Sequence, residues 1–231
     1  MIGSMRVVDL TQPLDGNTVM WPGAPAPEAA TVVTIAHDGF YQRRISFVEH
    51  SGTHFDAPCH MLEGTRSVDQ IDPGQLVRPL IVIDISADIA GDPDATLSLA
   101  QVHEFEARHG RIPDGAAVFL RTGWELFNTD AARYANLPGP LRFPGFGVEA
   151  ARFVVEERGA AGLGVDTLGI DPGAATDFAV HRQVTFPRNV WHLEGLTNLA
   201  ALPATGAWVV VGVLKLVDGS GSPARVLALV P

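Results

Sequence analysis

The stretch "HSGTHFDAPCH", residues 50–60, places three histidines and an aspartate within eleven residues. In an extended chain alternate residues face one side, and His50, His54, Asp56 and His60 are all even-numbered. His54 and Asp56 would stand about 6.6 Å apart along a strand, close enough for their side chains to converge on one ion. His50 and His54 would stand ~13 Å apart in a straight strand, too far for two imidazoles with metal–nitrogen bonds of about 2.0–2.1 Å. The chain must therefore bend between them. Ser51–Gly52 is where it can, because glycine tolerates positive φ. Pro58 then restricts the backbone just before His60. Two imidazoles and a carboxylate suit Zn²⁺ or Mn²⁺ and leave positions open to water. Water held by such an ion ionises near neutral pH, so the chemistry to expect is hydrolysis. Cys59 has the opposite parity and is expected to pack away from the cluster rather than act as a nucleophile.

A second concentration of donors lies between 165 and 199, with Asp166, Asp171, Asp177, His181 and Glu194. Glu194 sits among Trp191, Leu193 and Leu196. A carboxylate in an apolar run either faces solvent or is held by a partner such as a metal. The remaining histidines, His37, His103, His109 and His192, read as ordinary surface or core residues without a role.

Elements must bring these residues together. Strands are expected at 31–35, 44–50, 79–86, 116–123, 161–167, 208–217 and 225–230, several of them continuous Val/Ile/Leu runs typical of strands buried on both faces. One helix is expected to start at Ser98, where Ser98 and Gln101 have capping-box spacing, to turn Leu99, Val102 and Phe105 inward, and to stop at Gly110. His103 and His109 would then face water. A second helix is expected from about 148 to 158, ending at Gly159. The alternation of helix and strand between 98 and 167 indicates an α/β arrangement. Long Pro/Gly-rich loops at 21–27, 137–147 and 169–177 are candidates to build a binding site.

Length and composition bound the possibilities. No repeat or linker interrupts the 231 residues, and 1–231 reads as one domain. With 46% hydrophobic and 18% charged residues, the chain can bury a large core without a structural metal. A metal here is therefore expected to be catalytic. The formal charge of −10 argues against nucleic acid as a partner. No segment has the length of a membrane span. The opening "MIGSMRVVDL" lacks a basic region followed by an apolar stretch and does not read as a secretory signal. The single cysteine excludes an internal disulfide and fits a reducing, cytoplasmic setting.

The 50–60 stretch closely resembles the H-[ST]-G-[TA]-H-x-D-x-P-x-H signature of the metal-dependent cyclase family, which includes bacterial kynurenine formamidases and isatin hydrolases. The resemblance extends through "DLTQPL" (9–14), "WPG" (21–23), "LRTGW" (120–124), "GFGVEAARFVVEERGAAGLGVDTLGID" (145–171) and "LEGLTNL" (193–199). It implies an α/β fold, a swivelling β/β/α domain with a mixed sheet and flanking helices, assembled as a homodimer or homotetramer. It implies that His50, His54 and Asp56 bind one metal, and that Asp56 bridges to a second held by His181 and Glu194. The ions would be Zn²⁺ or Mn²⁺, two per chain. His60 would be the proton donor and acceptor, and Trp21 would line the substrate pocket. Ala24 stands where formamidases carry the aspartate of W-P-G-D, and Thr53 is closer to isatin hydrolases. The implied activity is hydrolysis of an aryl formamide such as N-formylkynurenine, in tryptophan catabolism, by a metal-bound hydroxide with His60 as proton shuttle. The alternative is opening of a cyclic aryl amide, as in isatin hydrolases.

Two readings of other classes remain. His54, Asp56 and His181 satisfy H-x-D…H, the facial triad of Fe(II) oxygenases, which leaves His50 and His60 unexplained. A non-catalytic metal-binding module would need no proton shuttle at position 60.

Overall fold

The computed structural model describes residues 5–89 and 91–231. Met1–Ser4, the start of the opening segment that does not read as a secretory signal, lie outside the described residues. In chain order the elements are β1 (Arg6–Asp9), β2 (Glu28–Val33), α1 (Ile35–Asp38), β3 (Gln42–Ser46), β4 (His54–Asp56), β5 (Val77–Asp84), β6 (Thr96–Leu97), α2 (Leu99–His109), β7 (Ala117–Arg121), α3 (Ala131–Ala135), β8 (Gly145–Phe146), α4 (Val148–Arg152), β9 (Gly162–Val165), β10 (Trp191–Glu194), β11 (Ala207–Val213) and β12 (Gly221–Val230).

Eight strands form one mixed sheet in the order β1-β12-β11-β5-β7-β9-β10-β4. The ten residues of β12 reach both ends of it. The half near Val230 pairs with β1, and Gly221–Pro223 pairs with β4, so the sheet closes into a barrel. Neighbours from β5 to β10 run parallel. The α/β fold with a mixed sheet and flanking helices is thus as expected.

The apolar runs bury both faces, as their composition requires. Leu80 and Val82 of β5 and Ala117 and Phe119 of β7 fill the barrel, while Ile81, Ile83, Val118 and Leu120 face outward. The outer layer is capped by Val102 and Phe105 of α2 and by Ala150 and Ala151 of α4. Leu99 is only half-buried, while His103 and His109 are exposed. Ser98 caps α2 as expected, its hydroxyl accepting from Gln101 N and its own N–H donating to Gln101 Oε1. The helix at 148–158 is α4 continued by a π-helical turn at Phe153–Glu157. On β9 the inward positions are glycines, and a Cβ at Gly162 would lie 2.4 Å from the Trp191 ring. That close approach lets the largest side chain of the interior pack against the sheet.

Two strand expectations need correction. The 44–50 segment leaves the sheet at Ser46, and 47–53 is a loop. The run at 31–35 belongs to a β2–β3 ribbon whose residues are nearly all exposed, not to a buried strand, and Ile35 begins α1. Among the described residues the ribbon pairs only with itself, so its Val and Ile residues find no core to enter.

Candidate metal centre

Strand parity organises the site. Phe55 of β4 and Trp191 and Leu193 of β10 point into the barrel. Their alternate neighbours therefore point out. The two strands pair antiparallel, with His192 opposite Asp56 and Glu194 opposite His54. Four donor-bearing side chains thus share one face of a two-strand ladder. The bend predicted between His50 and His54 is present, with Gly52 at φ +61°. It turns His50 back until its Nδ1 lies 2.6 Å from Asp56 Oδ1. The turn at Pro58–His60 then stacks the His60 ring on that of His50, with centroids 3.8 Å apart.

His181 arrives from the far side of the sequence, on a π-helical turn at Val180–Thr185. Its Nε2 lies 3.5 Å from Asp56 Oδ2 and 3.4 Å from Glu194 Oε1. His54 Nε2 lies 3.3 Å from Asp56 Oδ1 and 3.4 Å from Glu194 Oε2. These separations match the ~3.4 Å edge of a tetrahedron built from metal–ligand bonds of about 2.1 Å. The tautomers also fit. The other nitrogen of His54 meets Gly52 O at 3.0 Å, and that of His181 meets Asp171 Oδ2 at 2.5 Å. Each Nδ1–H is thereby committed to an acceptor, which leaves Nε2 with its lone pair directed at the carboxylates. All four donor side chains are buried. The residues fit a divalent cation.

The electrostatics agree. Burial opposes charge on His54, but Asp56 and Glu194 more than offset it and raise its pKa to about 10. Burial likewise opposes charge on Asp56, yet His50 and His54 hold its pKa well below the ordinary carboxylate range. A buried pair of carboxylates that draws protons so strongly onto its histidines presents the same field to a metal ion.

The centre floors a cavity of about 380 Å³. Val19, Trp21, Val48, Leu168 and Phe178 give it apolar walls, and His60 lines it beside the donors. Trp21 meets Phe178 at 6.1 Å and Phe143 at 6.4 Å between ring centroids. A cavity of this size and polarity accepts a small aromatic molecule. Burial depresses the His60 pKa, partly countered by Asp56, which favours the neutral, proton-accepting imidazole. Cys59 packs against the barrel interior, and its thiol faces Gly219 O at 3.6 Å.

Every residue read from the sequence as a ligand, His50, His54, Asp56, His181 and Glu194, converges here, with His60 and Trp21 beside them. Among the other acidic candidates, Asp177 is exposed. Buried Asp166 ties β9 to the loop after β7 by accepting from Thr122 N, Thr122 Oγ1 and Gly123 N. Three residues of the site had no role from sequence. Asp171 orients His181, Phe178 forms a wall, and His192 is wholly buried, with its ring centroid 4.5 Å from that of His181. The period-two pairing of His192 with Glu194 was the signal available for the last.

The model of the Cyclase family matches residues 8–172. The chain belongs to the cyclase family. It is similar to an isatin hydrolase of Roseibium aggregatum, 35% identical over 99% of this chain and 93% of that protein. The solved isatin hydrolase A of Ralstonia solanacearum superposes with a TM-score of 0.91 at 37% identity, covering 99% of this chain and 93% of the other. A kynurenine formamidase of Bacillus cereus is 25% identical over 94% of each chain. As a member of the cyclase family, the protein is a metal-dependent hydrolase. Its closed mixed sheet, with parallel strands under helices, is also not the double-sheet jelly roll that an Fe(II) oxygenase reading would favour.

Proposed function

We propose that this cyclase-family protein hydrolyses the C–N bond of an aryl amide, with ring opening of an isatin-like cyclic amide as the favoured reaction. The observation that carries the reading is the apolar, Trp21-walled cavity set directly above the buried His/Asp/Glu centre, with His60 alongside. The greater similarity to isatin hydrolases than to kynurenine formamidases favours the cyclic substrate. The replacement of the W-P-G-D aspartate by Ala24, itself a cavity residue, points the same way. An aryl formamide such as N-formylkynurenine is the second reading, favoured by the resemblance to formamidases across the whole chain.

His50, His54 and Asp56 would hold one divalent ion, Zn²⁺ or Mn²⁺. His181 and Glu194 would hold a second, with Asp56 between them. When bound, such ions supply Lewis acidity and bring the pKa of water toward neutrality. Trp21 and Phe178 flank the aryl ring and hold the amide carbonyl over the carboxylate-lined floor. His60 takes a proton as water adds to the carbonyl carbon, and returns it to the departing nitrogen as the C–N bond breaks. In a cyclic substrate that nitrogen remains attached as an arylamine, and a carboxylate forms. The test is turnover of a panel of cyclic aryl amides and aryl formamides by metal-loaded protein. Ring opening of isatin at the highest kcat/KM is expected. Turnover of formamides alone would replace the first reading with the second.

The exposed ribbon supports the proposal that the protein assembles as a homodimer or homotetramer. Val32, Ile35, Phe40, Tyr41 and Ile45 are each more than half exposed on it. An isolated two-stranded ribbon is marginal in water and needs cover. Arg43 and Arg44 on the ribbon form no ion pair among the described residues, while the chain carries −10 overall, so a second copy is the complementary partner. Ile45→Lys together with Phe40→Glu should shift the mass measured by light scattering toward the monomer. An unchanged oligomer would remove the ribbon from the interface. No helix among the described residues is long and apolar enough to cross a membrane. The single free cysteine supports a cytoplasmic setting.

A further inference from the structure

His192 shares a ladder face with three residues of the centre, yet it enters none of the hydrogen bonds described so far. It is wholly buried on β10, opposite Asp56 and two residues from Glu194. Its Nε2 lies 2.8 Å from Thr185 Oγ1. That hydroxyl has a single proton, and its other neighbours are the carbonyls of Val180 at 2.9 Å and His181 at 3.2 Å, which can only accept. The Thr185 hydroxyl therefore donates to the π-helical turn and accepts from His192. The proton of His192 is thus on Nε2. Among the described residues Nδ1 has no hydrogen-bond partner, and it is inaccessible to solvent. A second proton there would have no acceptor, so Nδ1 keeps a bare lone pair.

A buried lone pair without a donor is uncommon. Beside this ring lies a donor set. A ring nitrogen of His192 and one donor atom each of Asp56, His181 and Glu194 all lie within 4.8 Å of one another. The Phe186 ring, stacked on His192 with centroids 4.6 Å apart, closes the other side and fixes the imidazole plane.

We propose that His192 supplies a further nitrogen ligand, through Nδ1, to the ion position of His181 and Glu194, and that Thr185 holds it in the tautomer this requires. The proposal rests on the two-ion reading above and extends it. The second position would then combine two imidazoles with two carboxylates, a donor set typical of Zn²⁺ or a related borderline ion. Thr185 would act as the partner that sets a ligand's tautomer, the part Asp171 plays for His181.

Cobalt(II) titration of the apo protein tests this without substrate, because the visible absorption of Co²⁺ reports the ligand set. Wild-type protein should take up two ions with distinct spectra. His192→Ala should keep the first ion, bind the second at least about 10-fold more weakly and change its absorption bands. Thr185→Val removes only the hydroxyl, and should weaken the second ion by about 10-fold, the usual scale for a ligand-orienting partner. It also answers the question should His192→Ala fail to fold. Two ions bound by both variants with wild-type affinity and spectra would make His192 a core residue and overturn the proposal. Wild-type protein that binds a single ion would overturn the two-ion reading together with it. A wild type that binds two ions beside unaltered variants overturns the proposal alone.

Discussion

Replacing His60 with alanine should leave both ions in place and lower turnover by about 10²-fold or more, the scale of general acid–base catalysis. The expectation follows from where the side chain sits. His60 lines the cavity and stacks on His50, so it faces substrate and donors alike. Its ring lies farther from His181, at 6.4 Å between centroids. His60 also lies near His50 and Asp56, with donor atoms of the three within 4.8 Å of one another, so a ligand role is the competing account. Metal analysis beside steady-state kinetics separates the two. A proton carrier lost from an intact centre lowers kcat, and the acidic limb of the pH–rate profile, set by a base that must be neutral to accept a proton, changes shape. Loss of an ion in His60→Ala, with activity restored by excess metal, would make it a ligand instead.

Exchanging Glu194 for glutamine should lower occupancy from about two ions to about one and reduce turnover sharply. Glutamine keeps the size but loses the charge and donor strength on which such sites rely. Glu194 is buried between His54 Nε2 at 3.4 Å and His181 Nε2 at 3.4 Å. It also accepts from Ile170 N at 2.8 Å, which aims the carboxylate at the histidines. His50→Ala should remove the other ion. The double variant should lose less than the product of the separate losses, as residues acting as a unit do. Metal stoichiometry and turnover for both single variants and the double decide the matter. Two ions per chain and near-normal turnover in Glu194→Gln would end the two-ion reading and leave Glu194 a structural carboxylate.

Local chemistry made the first half of the centre legible. His54 and Asp56 share a face because a strand alternates with period two, and Gly52 could be picked as the bend because it alone in that stretch adopts positive φ at little cost. The capping box at Ser98–Gln101 and the buried runs of β5 and β7 are local in the same sense, since propensity and periodicity act over a few residues. The exposed ribbon shows the limit of that logic. Its Val and Ile content resembles a buried strand, and only the absence of a packing neighbour distinguishes the two.

The second half depends on distance in sequence. Glu194 and His181 were visible as donors, and family resemblance joined them to the first cluster. Nothing within 165–199 says which of its donors face the centre. The β4–β10 register decides it for His192 and Glu194. Had β10 paired one residue out of step, His192 and Glu194 would enter the barrel, and Trp191 and Leu193 would face the ion site. That register is held by the packing of Trp191 on Phe55, with centroids 5.6 Å apart, and by the space left at Gly162. The sequence by itself therefore determined which residue types could bind a metal and how the nearest of them bend together. The tertiary structure alone decided that Asp171 stands behind His181 and that the buried His192 ring lies against the same centre, because those contacts depend on where a closed sheet and a π-helical turn place side chains remote from one another in the chain.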